Sequence, residues 1–131
     1  MRSRKRLFIA TAAIEVGAGA ILISAPALAI WFLLAVREPS REAIVVGRVC
    51  GAGLLALGIG SWVARHDPST QSQDGLLCGM LAYNIGACVV LAYAGSTQSM
   101  AGVVLWPAVA LHAVMAGWCA VNLPAVLHGA H

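Results

Sequence analysis

Long apolar stretches recur along the chain, and ionisable residues fall mainly between them. The stretches cover residues 7–36, 43–64, 75–94 and 100–123. A helix needs about 20 predominantly apolar residues to cross a bilayer, and each stretch reaches that length. The polar joints at 37–42, 65–74 and 95–99 are short, so successive helices run antiparallel and pack as hairpins. The pattern predicts an all-α fold: one domain over 1–131, an integral membrane bundle of four transmembrane helices with short loops.

Within the stretches the spacing of small and bent positions predicts how the helices meet. The first stretch would be about 45 Å long as a straight helix, against a hydrocarbon core of about 30 Å. It must tilt, protrude or bend, and Pro26 offers a kink because it removes one backbone hydrogen bond. In the second stretch Gly47, Gly51 and Gly58 share a face, while Leu57 falls on another face, toward lipid. In the third, Gly75 and Gly79 are followed by Gly86, and the fourth has Ala113, Gly117 and Ala120. Small residues let helices approach closely in lipid. Gly47, Gly51, Gly58, Gly79 and Gly86 are therefore the expected helix-packing positions.

Composition narrows the picture further. The chain is 60% hydrophobic and 10% charged, with mean hydropathy +0.86, too little polar material to clothe a soluble domain of this size. No loop can hold a soluble catalytic module. There is no nucleophile elbow, phosphate loop or pair of carboxylates, so a non-enzymatic protein is expected. The formal charge of +3 arises largely from Arg2, Arg4, Lys5 and Arg6. Beside a membrane helix these read as a topology signal that also touches anionic headgroups, not as a nucleic-acid surface. Counting Lys and Arg near the stretches favours both termini on the cytoplasmic side. Trp31 and Trp106 then fall at the outer interface, and Trp62 and Trp118 at the inner one. The basic start and the Ala-x-Ala patterns at 25–29 resemble a signal peptide. The apolar stretch runs on through residues 30–36, which argues against cleavage.

The residues that could carry chemistry lie inside the stretches. Glu15, Asn84 and His112 are the polar groups expected deep in the membrane. On helix rise, Glu15, Asn84 and His112 each lie about 12–13 Å from the inner edge. Such groups satisfy one another as interhelical glue, or relay a proton or hold a cation. Arg48, near the outer end of its span, snorkels to the headgroups or reaches toward Glu15. Arg65 becomes a partner for Glu15 if that carboxyl sits at the inner interface. Cys50, Cys78, Cys88 and Cys119 form no C-x-x-C pair. They read as small buried residues, with Cys78 and Cys119 the one pairing at a common depth. A haem would need two deep histidines at one level, and only His112 is deep. His66, His128 and His131 match no zinc spacing. No cofactor or metal is expected.

The stretches TAAIEVGAGAILISAPALAI, GRVCGAGLLALGIGSWVAR and LLCGMLAYNIGACVVLAYAG resemble small bacterial four-helix membrane proteins. The second is also similar in style to DoxX-like proteins, where a basic residue precedes a Gly-rich span. The resemblance covers most of the chain. It implies an all-α fold, a bacterial inner-membrane location and an accessory role beside an oxidoreductase. It transfers no site residue, and the lack of C-x-x-C departs from direct thiol redox work. The expected function is a non-enzymatic accessory or scaffold protein whose partners are the lipid bilayer and either another membrane subunit or a second copy. The alternative is a small oligomeric transporter or proton-linked carrier using Glu15, Asn84 and His112.

Overall fold

The computed structural model describes residues 2–67 and 70–123. The described residues form helices α1 (Arg2–Ser24), α2 (Pro26–Leu34), α3 (Arg41–Ala64), α4 (Thr70–Thr97) and α5 (Leu105–Asn122). Helices α1, α3, α4 and α5 are each long and apolar enough to cross a membrane. Their outward faces carry Val45, Val46, Val49, Ile59, Val63, Val89, Val90, Val114 and Val121, all exposed. In water so much apolar surface would drive aggregation, whereas in lipid it is the required exterior. The chain is thus an all-α, multi-pass membrane bundle.

The expected single helix over 7–36 is replaced by two. Pro26 has no N–H and stands at the start of α2, with the break at Ala25 (φ −137°, ψ 57°). The hydrogen-bond ladder runs up to Ala25 N–H on Ile21 O (2.8 Å) and resumes at Ala29 N–H on Ala25 O (3.1 Å). Helix α2 ends where Ala35 turns left-handed at φ 61° and its N–H returns to Trp31 O. Helix α1 also starts earlier than expected, so the basic segment forms its first turns. Helix α3 starts at Ser40, whose hydroxyl accepts from Ala43 N–H (3.2 Å), with Glu42 in the first turn, the ordinary N-cap chemistry.

Helix α5 begins five residues later than expected because the preceding loop docks on α2. Val104 N–H donates to Phe32 O (3.1 Å). A Cβ on Gly102 would collide with the Phe32 and Leu33 carbonyls, so only glycine permits that approach.

The long helices associate as two close antiparallel pairs, α1 with α3 and α4 with α5. Small residues explain the first pair. A Cβ on Gly19 would lie 2.7 Å from Gly51 O, and one on Gly51 would lie 2.8 Å from Gly19 O. A Cβ on Gly58 would meet Val16 Cγ2 at 2.8 Å, while Gly47 faces Pro26, Ile30 and Leu22 in ordinary contact. Gly79 and Gly86, expected at a helix contact, instead face outward with nothing within 4 Å of a Cβ, as do Gly75 and Gly117. The α4 glycine that meets α5 is Gly95, where a Cβ would lie 2.7 Å from Leu105 Cδ2 and 3.2 Å from the Trp106 ring. Leu57, expected to face lipid, is half-buried and packs on the core.

The core lies between the two pairs, toward the N-terminal end of α1. Leu7, Phe8, Ala64, Leu77, Met80, Met115 and Cys119 fill it. Polar side chains close that end. The Arg4 guanidinium donates to Asp74 Oδ1 (2.7 Å) and to Asn122 O (2.8 Å), tying α1 to α4 and α5. Trp118 Nε1 donates to Ser3 Oγ (3.2 Å). Gln73 Nε2 donates to Asp67 O (3.0 Å) and to Ala64 O (2.8 Å), which also accepts from Asp67 N–H (3.1 Å).

Candidate polar site between the helix pairs

Above this core, polar groups from α1, α3, α4 and α5 converge in the seam. Thr11 and Glu15 are one turn apart on the inward face of α1 and are 1% and 3% exposed. Ser61 on α3 is buried. Its hydroxyl donates to Leu57 O (2.8 Å) and lies 3.8 Å from Met80 Sδ. Helix α4 supplies Tyr83 and the buried Asn84, and α5 supplies His112.

Two hydrogen bonds and one ring contact organise them. Tyr83 Oη donates to Glu15 Oε2 at 3.3 Å. Asn84 Oδ1 and His112 Nδ1 are 2.9 Å apart. The rings of Tyr83 and His112 meet edge to face, with centroids 5.5 Å apart at 87°. Asn84 Nδ2 donates to Met80 O (2.8 Å), so its Oδ1 is the atom turned to the imidazole. An amide oxygen only accepts. His112 Nδ1 therefore bears the hydrogen, and Nε2 is left as the acceptor of the neutral ring. Rotating the amide would set two acceptors against each other at Met80 O.

Glu15, Asn84 and His112 thus share one seam, but not as a single contact. Asn84 and His112 bond directly. Glu15 reaches them through Tyr83, and no direct bond joins Glu15 to His112. Tyr83 is the member that the pattern of ionisable positions misses. A phenol on an apolar helix reads as an interfacial or core aromatic, and only the partner across the seam gives its hydroxyl a task. Thr11 is a second missed member, although its place four residues before Glu15 on the same helix face is a signal that finds it. Its Oγ1 is the one buried side-chain polar atom among the described residues without a hydrogen-bond partner.

The ion pairs expected for Arg48 and Arg65 do not form with Glu15. Arg65 stacks over Trp62, 3.4 Å from the ring centroid, and donates to Trp62 O. The register explains this. Gly19 meets Gly51 and Leu55, and Val16 meets Gly58 with Ala12 O beside it, which sets Glu15 within a turn of Gly58, about 10 Å along α3 from Arg65. Arg48 is exposed and makes no hydrogen bond or ion pair among the described residues. The ion pair found there is Arg4 with Asp74. All four cysteines are free thiols, Cys119 buried and Cys78 exposed, so these two form no disulfide. His128 and His131 lie outside the described residues.

No protein-family model matches the chain, and neither do curated proteins or solved structures.

Proposed function

We propose that this protein is a non-enzymatic accessory or scaffold subunit of a bacterial inner membrane, with both termini cytoplasmic, that packs against another membrane protein or a second copy. The observation that supports it is the use of small residues. Gly47, Gly51 and Gly58 of α3 face α1 and α2, whereas Gly75, Gly79 and Gly86 on α4 and Gly117 on α5, like Gly53 and Gly60 on α3, face outward with open space beside them. In lipid such faces admit a further helix at close range. The seam groups pair with one another and are largely buried, which suits interhelical glue better than a permeation path. An oxidoreductase partner, as the DoxX-like resemblance implies, is one candidate. Extraction in mild detergent followed by native mass measurement tests the reading. A stoichiometric second subunit or a homo-oligomer is expected, and Gly79→Leu should reduce it. A monomer insensitive to Gly79→Leu and Gly117→Leu would overturn the reading.

A second reading, a small proton-linked carrier, is favoured by one observation. The buried Thr11 hydroxyl has no partner one turn from Glu15, as in a site that holds a water or a transported group. Reconstituted vesicles separate the two. Proton flux lost in Glu15→Gln would favour the carrier, and flux equal to that of empty vesicles would remove it.

A further inference from the structure

The seven-residue register that brings Gly19 to Gly51 and Ala12 to Gly58 continues to the end of the pair. Gly58 lies against both Ala12 and Val16, so one more step of two turns along each helix places Arg65 at the level of Lys5 and Ile9. Arg65 still has helical dihedrals (φ −59°, ψ −20°), so the step is legitimate there. Like charges thereby share a level, with His66 next in the chain. Asp74 is taken by Arg4. The first turn of α1 contains no acidic residue, although Arg2, Arg4, Lys5 and Arg6 crowd the end where the helix dipole is already positive. A helix start with that charge repels its own side chains and attracts an anion.

We propose that the end of the α1–α3 pair is a binding site for the phosphodiester headgroup of an anionic phospholipid, bridging Lys5 and Arg65 with His66 at its margin. The depth argues for a lipid as the source. Arg65 is stacked on Trp62, an exposed tryptophan of the kind that settles at headgroup level. A phosphodiester there sits between two cations, near the positive end of the α1 dipole. The Lys5 ammonium, with loss of water and then Arg65, already holds the His66 imidazole below its ordinary range, which reports the local excess of positive charge. The charged groups about His66 are Lys5, Arg65 and the adjoining Asp67. The proposal is independent of the accessory role.

The test uses the full chain in mixed micelles of phosphatidylglycerol and phosphatidylcholine, with retained lipid read by native mass spectrometry. Phosphatidylglycerol should be retained preferentially. Retention should fall about fivefold for each cation removed in Lys5→Gln and Arg65→Gln, recover in Lys5→Arg, and persist when Arg37→Gln and Arg41→Gln are made at the opposite end. A second readout is the His66 titration midpoint. It should rise from phosphatidylcholine to phosphatidylglycerol discs, and the rise should shrink in Lys5→Gln, whose exposed side chain is not needed for folding. Equal loss in both pairs of variants, or no lipid preference, would overturn the site. Displacement of the lipid by millimolar glycerol phosphate would overturn a lipid source in favour of a soluble anion.

Discussion

At the scale of single residues, the seam works because each polar group is oriented by a neighbour. Asn84 is fixed by Met80 O and then dictates which nitrogen of His112 bears hydrogen. Tyr83 bonds Glu15 and abuts the same imidazole. Hydrogen bonds between membrane helices contribute about 0.6 kcal/mol on average and about 1.7 at most. Glu15→Gln and His112→Gln should therefore each lower stability by about 1 kcal/mol, with a double variant that loses less than the sum. Because the link runs through the phenol, adding Tyr83→Phe should make the two effects additive. Thermal unfolding of the full set in one detergent checks this, and coupling that survives Tyr83→Phe would place the link elsewhere. The Arg4–Asp74 pair should behave similarly. Arg4→Gln and Asp74→Asn should each destabilise, with a coupling of about 1 kcal/mol in the double variant, since both side chains are mostly withdrawn from solvent.

Between elements, backbone proximity decides the α1–α3 pair. Gly51→Ala forces a methyl against Gly19 O and Leu22 Cβ, both within 3 Å, and should cost about 1–3 kcal/mol by overpacking. Gly53→Ala, with nothing within 4 Å of its Cβ, should be neutral or stabilise by up to about 1 kcal/mol through helix propensity. Melting temperatures of the two variants in the same detergent decide it. Equal losses would mean that the Gly19–Gly51 approach does not limit the pair. The sequence pattern set Gly47, Gly51 and Gly58 on one face, and in the structure their nearest neighbours belong to α1 and α2. It could not mark Gly79 and Gly86 as outward, because identical spacing serves a contact within the bundle or one beyond it. It also placed Leu57 in lipid, although a residue beside a glycine face still reaches the neighbouring core.

For the molecule as a whole, charge and tryptophan placement set the two ends apart. The end holding Arg2, Arg4, Lys5, Arg6 and Arg65 also holds Trp62 and Trp118, and the other holds Arg37, Arg41, Trp31 and Trp106. With the basic end cytoplasmic, as proposed, a thiol at Gln98→Cys in a cysteine-free background should react with an impermeant reagent added to intact cells. One at Gln71→Cys should react only after lysis. The opposite pattern would invert the protein.

The sequence alone determined the four apolar helices and their antiparallel order, and it offered Pro26 as a place for the first to bend. Each is a local consequence of hydropathy, loop length or a missing N–H. It also singled out Glu15, Asn84 and His112, since ionisable and amide groups stand out in an apolar run and helix rise puts them at one level. Which groups touch was decided only by the tertiary structure. Depth fixes one coordinate of a side chain, while rotation about the helix axis depends on how close neighbouring backbones come. The Gly19–Gly51 crossing set that rotation for α1. It aimed Glu15 at Tyr83 and left Arg65 about 10 Å away along α3.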